Sequence, residues 1–221
     1  MTDPEALAAL RRDLARLLSG LFLGPPTNAQ VATLADPDAR EVLTSLLGEG
    51  ARAHLAALAD PPSESVLRET FFALLAVPGW RYKPPFEAVY CDARELDEGS
   101  VGGLLLGEST QAVGDAYARE GFALGVPELP DHLGCELAFL AALSEREREA
   151  LERSDSAGAW RAVDAAAAFA REHPLRWFGA FAGRLATDPE GRWYHHLASL
   201  AEALARASAA RGALLPLRRR R

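Results

Sequence analysis

Lysine is almost absent from this chain of 221 residues: Lys83 is the only one, and every other basic residue is an arginine. Acidic residues outnumber basic ones, and the formal net charge is −7. An acidic surface repels phosphate backbones, which argues against nucleic acid as the main partner. The charge is compatible with a basic peptide as partner, although most of these side chains are expected to be solvated surface.

Cysteines and long apolar runs are also scarce. Two cysteines, Cys91 and Cys135, do not make a disulfide framework, and Cys135 lies on an apolar helical stripe that is typical of a buried thiol. No apolar run reaches the length that a membrane span needs, so we expect no membrane insertion. Arg11 and Arg12 suggest a twin-arginine export signal, but Arg16 interrupts the apolar run that should follow. We therefore expect a cytoplasmic protein.

The signatures of common catalytic sites are missing. The glycines around Gly103 lack the spacing and the lysine of a phosphate-binding loop, and no nucleophile elbow or Ser/Cys-His-Asp pattern occurs. His195 and His196 are neighbours on a helix and point about 100° apart, so we do not expect them to share a metal. These absences predict a protein that is not an enzyme and that needs no cofactor or metal.

Leucine and alanine dominate the composition and β-branched residues are few, which favours helices over strands. Apolar residues recur three and four positions apart from Leu7 to Leu21, after a capping box over residues 2–5. Similar patterns predict further helices over 28–35, 64–76, 109–120, 131–153, 154–172 and 175–186, and a last one after Pro189. A helix that begins at Asp36 is interrupted at Gly48 and Gly50 and resumes to Ala59. No strand is predicted, and the fold class is an all-α helical bundle.

Short polar residues in front of apolar runs predict helix caps. We expect Asp131 to cap the helix over 131–153 and Asp188 to cap the last helix. Ser109 or Thr110 should cap the helix that ends before Gly121, and that glycine should adopt the left-handed conformation.

The stretch 128–143 combines a buried helix with ionisable residues at its start. Its apolar side chains cover a wide arc, as in a helix buried on most sides. His132 and Glu136 nevertheless lie four residues apart on one face. Two interpretations stay open: Glu136 holds the imidazole of His132 beside a cap from Asp131, or Asp131 and His132 contact a peptide at a groove. A metal site would need further ligands that no motif provides.

Residues 77–103 lack any periodicity, and so long an irregular segment is often functional. Its aromatic residues are Trp80, Tyr82, Phe86 and Tyr90. They are either loop anchors or a peptide-binding wall; we favour anchors for the last two and exposure for the first two. Leu74 and Leu75 end the preceding helix and belong either to the core or to a groove. Acidic residues give the loop a negative charge that is either solvated or attracts a peptide: Glu87, Asp92, Glu95, Asp97 and Glu98.

Both stretches resemble motifs of the TorD/DmsD family of chaperones, which mature molybdenum-containing reductases. The family signature is an acidic residue, Pro-Asp-His, three residues, Glu and a hydrophobic helix. It is similar to the sequence from Glu128 to Leu140, with Leu129 as one extra residue. The second motif, an apolar pair, a Gly/Pro turn, Pro-Pro-aromatic and Val-Tyr, is similar to residues 74–90, where Leu75 replaces the usual Phe. The resemblance covers about residues 66–205.

The resemblance implies two helical lobes joined by a hinge, with an N-terminal lobe over 1–122, the hinge over 123–130 and a C-terminal lobe over 131–221. It implies a chaperone that binds the twin-arginine signal peptide of a molybdoenzyme catalytic subunit and holds the apoenzyme until cofactor insertion and export. The peptide-binding residues implied by the two motifs are Leu74, Leu75, Trp80, Tyr82, Phe86, Tyr90, Asp131, His132 and Glu136. The protein would be a monomer, or a homodimer that exchanges lobes through the hinge.

Two alternatives stay open. A helical assembly factor would bind a folded reductase subunit and ignore its signal peptide. A nucleotide hydrolase would need a phosphate cradle, which the sequence does not contain. The four arginines from Arg218 to Arg221 are expected to form a frayed tail.

Overall fold

The leucine spacing of the sequence corresponds to helices along nearly the whole described chain. The computed structural model describes residues 3–92, 94–96, 99–101, 103 and 105–210. The helices are α1 (Pro4–Leu23), α2 (Asn28–Ala35), α3 (Pro37–Leu47), α4 (Arg52–Ala57), α5 (Glu64–Phe71), α6 (Glu87–Cys91), α7 (Glu108–Arg119), α8 (Leu133–Glu152), α9 (Ser156–Glu172), α10 (Pro174–Ala186) and α11 (Arg192–Ala209). The predicted all-α class is confirmed.

Two local features depart from the prediction, one within the irregular segment 77–103 and one just before it. Arg94–Leu96 (β1) pairs antiparallel with Gly99–Val101 (β2), so the prediction that the chain holds no strand is wrong at this point. Strands of three residues are too short to show an alternating pattern in the sequence. The helix predicted over 64–76 ends as a π-helical turn over Phe72–Ala76. Asp97, Glu98 and the tail from Arg218 lie outside the described residues.

The longest helix pair is α1 against α8. Arg11 donates from Nη2 to Glu147 Oε2 at 2.9 Å, and Arg12 donates from Nη1 to Glu145 Oε2 at 2.6 Å. Ser19 Oγ donates to the carbonyl of Gly134 at 2.7 Å, where α8 begins. The twin arginines of the sequence therefore lie within a folded helix and bind α8. No helix in the described part of the chain is both long and apolar enough to cross a bilayer.

The main hydrophobic core draws on helices from both ends of the chain. It joins α1, α3, α4, α5, α8, α10 and α11, with Trp177 and Tyr194 fully buried at its centre. A smaller cluster packs Tyr117, Phe139 and Phe169 between α7, α8 and α9. The main core thus includes residues on both sides of the segment 123–130, most of which is exposed. The division into two lobes at that segment stays a prediction.

The start of α8 differs from the predicted one. His132 occupies the N-cap position, and its Nδ1 accepts from the backbone N–H of Gly134 at 3.1 Å. The prediction that Asp131 caps this helix is wrong, because its carboxylate faces α6 instead. A residue at a helix start can serve a neighbouring helix when that helix approaches it in space.

The caps of α7 and α11 also come from unexpected residues. Asp92 caps α7 by accepting from the backbone N–H of Ser109 at 2.9 Å, in place of a cap from within the helix. Gly191 is the N-cap of α11, so the prediction that Asp188 caps this helix is wrong; Asp188 binds Arg81 with both oxygens and accepts from the backbone N–H of Glu190 at 3.0 Å.

One helix end differs from its sequence signal and another agrees with it. The N-cap of α1 is Asp3 and not Thr2 of the predicted capping box, and its carboxylate accepts from the backbone N–H of Glu5 at 3.1 Å. Gly121 follows α7 with a φ of 61°, the left-handed conformation predicted for it.

Gly134 lies where α8 meets α1, so its missing side chain allows close approach. A Cβ there would lie 2.6 Å from Leu23 Cγ and 3.1 Å from the carbonyl oxygen of Ser19. We expect Gly134→Ala to push the helices apart and to lower the free energy of unfolding by about 1–3 kcal/mol. Urea denaturation measures this change.

Gly183 provides the matched control on α10. It is exposed, and a Cβ there would meet nothing within 4 Å. Gly183→Ala should raise the free energy of unfolding by about 0.5–1 kcal/mol, because alanine is the better helix former. An unchanged stability of Gly134→Ala would contradict the close contact between α1 and α8.

Candidate functional site

Main-chain hydrogen bonds join the loop before α6 to the start of α8. The N–H of Leu133 donates to the carbonyl of Pro85 at 2.9 Å, and the N–H of Glu87 donates to the carbonyl of Asp131 at 2.9 Å. Phe86 and His132 form an antiparallel bridge between these bonds. The two stretches that the sequence analysis singled out therefore form one unit, although α7 separates them in the chain.

Asp131 is fully buried and caps α6 from outside that helix. Its Oδ2 accepts from the backbone N–H of Ala88 at 3.0 Å. Burial raises the pKa of the Asp131 carboxyl above its usual range. Its Oδ1 makes no bond of good geometry to a described residue, although Thr110 lies close enough to lower its pKa in part. The carboxylate faces the protein interior and not a surface groove.

His132 is buried beneath the aromatic ring of Phe86. The two rings pack edge to face at 5.1 Å between centroids. Because Nδ1 accepts from a backbone N–H, the proton of the neutral imidazole is on Nε2. Burial lowers the pKa of His132 to about 4, so the ring is uncharged near neutral pH. Glu136 does not hold this imidazole, and that detail of the first interpretation is wrong.

Glu136 belongs instead to a buried acidic pair with Glu87. Both side chains are fully buried, and their carboxyl groups lie close enough to each other to raise the pKa of Glu136. The indole Nε1 of Trp177 donates to Glu136 at 3.2 Å. Burial, followed by the charge of Glu87, raises the pKa of Glu136 well above its usual value. A protonated Glu136 can donate to the Glu87 carboxylate while it accepts from the indole.

Two basic side chains also bind the carboxylate of Glu87. Its Oε2 lies 3.0 Å from Nδ1 of His173, and its Oε1 accepts from Nη1 of Arg176 at 3.0 Å. The cluster thereby connects α6 and α8 with the α9–α10 corner. Buried charges are stable only when they are paired and hydrogen-bonded in this way.

Sequence reasoning missed most of this cluster. Glu87 was grouped with the acidic surface of the loop, and its complete burial corrects that expectation. His173, Arg176 and Trp177 were not among the predicted site residues. No local pattern marks these residues, because each partner of the buried acid comes from a distant part of the chain.

The apolar residues predicted for the peptide site are packed inward. Leu74 and Leu75 are 0% and 4% exposed and belong to the main core. Phe86 packs on His132, and Tyr90 stacks on Trp177 at 5.4 Å between ring centroids. These ring contacts fix the loop to the core, as expected of loop anchors. A contact of any of these residues with a peptide stays a prediction.

Trp80 differs from all of these, because its side chain is 93% exposed. The loop that carries it closes through the N–H of Lys83, which donates to the carbonyl of Leu74 at 2.7 Å. Arg81 ties the loop to the α10–α11 turn through bonds of 2.8 and 2.7 Å to Asp188. These hydrogen bonds fix the conformation of the loop, and the Trp80 side chain remains at the surface.

An open groove of about 490 Å³ lies beside this loop. Its lining residues are Trp80, Arg81, Lys83, Thr187, Asp188, Pro189 and Glu190. The guanidinium of Arg81 holds the pKa of the Asp188 carboxyl below its usual range. Tyr82 is partly buried, and burial raises its pKa. Of the nine predicted site residues, Trp80 is thus the one fully exposed to solvent in the described structure.

Comparison with known families identifies the family of this chain. A family model described as nitrate reductase delta subunit matches residues 42–183, more than half of the chain, and spans both motifs. A search of curated proteins and a search of solved structures gave no match. The chain belongs to the nitrate reductase delta subunit family, the TorD/NarJ-type chaperones of molybdoenzyme maturation. The family resemblance drawn from the two motifs is confirmed.

Glu136→Gln tests the protonated state of the buried pair. Because the folded-state pKa of Glu136 is raised, the stability that it contributes falls as the pH rises above its ordinary value of 4.5. Glutamine keeps the bonds to Trp177 and Glu87 without ionising. We expect this variant to be at least as stable as the parent at about pH 8 and to lose part of the pH dependence. Urea denaturation at about pH 5 and about pH 8 measures both effects.

Two further variants sharpen this test. Glu136→Ala leaves a cavity and an unpaired indole N–H, and should lower the free energy of unfolding by about 2–4 kcal/mol. The exposed Glu128→Gln should change neither stability nor its pH dependence. Equal losses for Gln and Ala at position 136 would show that the negative charge itself is needed there.

Proposed function

We propose that the protein is a cytoplasmic chaperone that binds the twin-arginine signal peptide of a molybdopterin-dependent oxidoreductase. It holds the apoenzyme until the cofactor is inserted and then releases it for export. Family membership supports the maturation role. The exposed Trp80, beside an open groove, is the observation that carries the peptide-binding role. Large aromatic side chains on braced loops are typical anchors of binding interfaces.

The energetics of such a peptide favour apolar contacts. A signal peptide offers two arginines followed by an apolar stretch. Burial of one leucine contributes about 1.5–3 kcal/mol, whereas an exposed ion pair contributes about 0–1 kcal/mol. Affinity therefore comes mainly from the contact with Trp80 and its surroundings. Glu190, whose side chain is 59% exposed, attracts a peptide arginine in competition with Arg81 and so sets the orientation.

Leu74 and Leu75 enter this proposal through a movement of the loop. Both are buried, so a peptide reaches them only when the bond between Lys83 N–H and the Leu74 carbonyl opens. The π-helical turn at Phe72–Ala76 is a plausible place for such a change, since π-turns are frequent at functional sites. Asp131 and His132 then support the floor of the site from beneath.

Binding of a synthetic client signal peptide to the full chain tests the proposal by calorimetry. Trp80→Ala should weaken binding about tenfold or more without a loss of stability, because the side chain is exposed. Leu75→Ala should weaken binding more than Asp131→Asn does. Val42→Ala, at a half-exposed apolar position on α3, is the control and should leave affinity unchanged. A loss of binding confined to Asp131→Asn would overturn the apolar mechanism.

The closed surroundings of Asp131, His132 and Glu136 favour one alternative. With these side chains buried, a helical assembly factor could bind a folded reductase subunit by its outer surface alone. Co-purification with the full chain identifies the client subunit. If deletion of the client's signal peptide leaves the affinity unchanged, the assembly-factor role replaces the peptide-binding role; a large loss of affinity supports peptide binding.

A further inference from the structure

Three of the five histidines of the chain converge between α4 and α11. Nδ1 of His54, on α4, lies 3.0 Å from Nδ1 of His196, on α11. One ring nitrogen of each of His54, His195 and His196 can be chosen so that all three atoms lie within 4.8 Å of one another. Within the described residues, this is the single cluster of three or more potential metal-binding side chains.

The ring of His195 is oriented by a contact outside the cluster. Its Nδ1 lies 2.9 Å from the carbonyl oxygen of Ala182, on α10. A carbonyl only accepts, so this nitrogen carries the proton and Nε2 carries the free lone pair. Metal-binding histidines usually donate their second ring nitrogen to a carbonyl or carboxylate in this way, which fixes the tautomer and the direction of the ligand.

The other two imidazoles are also suited to bind a cation. His54 and His196 are both half-buried, and their rings lie 5.3 Å apart between centroids. Their two Nδ1 atoms are nearly as close as two ligands of one tetrahedral Zn²⁺, which lie about 3.3 Å apart. Leu55 and Leu58 are buried beside His54 and fix its backbone in the core.

We propose that His54, His195 and His196 bind one divalent transition-metal ion, Zn²⁺ in the first place, and so clamp α4 onto α11. Three imidazoles without a thiolate match zinc sites that keep a fourth position for water. A groove of about 460 Å³, lined in part by His54, Ser199 and Glu202, adjoins the cluster and gives room for that fourth ligand. The sequence analysis expected no metal shared by His195 and His196 because neighbouring helix residues point about 100° apart. In the structure their two rings nevertheless lie 5.0 Å apart between centroids, and His54 joins them from α4.

Titration of ZnCl₂ into the full chain, stripped of metal by a chelator, tests the site by calorimetry. One ion should bind per chain. His54→Gln, His195→Gln and His196→Gln should each weaken binding about tenfold or more. Cys91→Ser is the matched control, because Cys91 is the more exposed of the two thiols and a thiolate is a strong competing zinc ligand. It should bind Zn²⁺ like the parent.

X-ray absorption of the zinc-loaded parent identifies the metal ligands without any substitution. The proposal expects about three imidazole nitrogens at about 2.0–2.1 Å and no sulfur. Saturating Zn²⁺ should also raise the Tm by about 5 °C in the parent and not in His54→Gln. Sulfur ligands, binding that survives all three glutamine substitutions, or no saturation at about millimolar Zn²⁺ would each overturn the proposal.

Discussion

The hydrogen bonds between residues 85–88 and 131–133 are the constraint on which the site depends. They place the Asp131 carboxylate at the start of α6, bring Phe86 onto His132, and turn Glu87 inward to meet Glu136. Each of these polar groups is buried, so each needs its partner to remain in place. A buried network of this kind forms or opens as a unit, because an unpaired member would be unfavourable in the interior. The two motifs of the sequence are thus the two halves of one structure.

The site has two layers with different roles. The inner layer is the buried cluster around Glu87, Glu136 and Trp177, which joins α6, α8 and α10. The outer layer is the Trp80 loop, which is connected to the rest mainly by the bond from Lys83 to Leu74 and the ion pair of Arg81. The buried cluster does not include either of these bonds. Under the proposed function, the ionisable residues at the start of α8 support the site from beneath.

The sequence was a good guide to the helices and a poor one to their contacts. The leucine spacing in α1 and the apolar arc of α8 have a period of 3.6, so both helices could be predicted from local pattern. Motif spacing was also sufficient to indicate the family. The caps supplied by Asp92 and Asp131, the burial of Glu87 and the approach of His54 to α11 could not be predicted. In each of these cases the partner lies on another element, and only the tertiary fold brings it close.

Native-state hydrogen exchange of the backbone amides of Glu87, Ala88 and Leu133 tests the central claim most directly. These N–H groups make the bonds between the two motifs. If the motifs form one cooperative unit, the three amides should be strongly protected and should share one opening free energy, close to that of the first turns of α8. If Glu87 and Ala88 exchange at the rate of an exposed loop, or independently of Leu133, the two motifs are separate and the account is wrong.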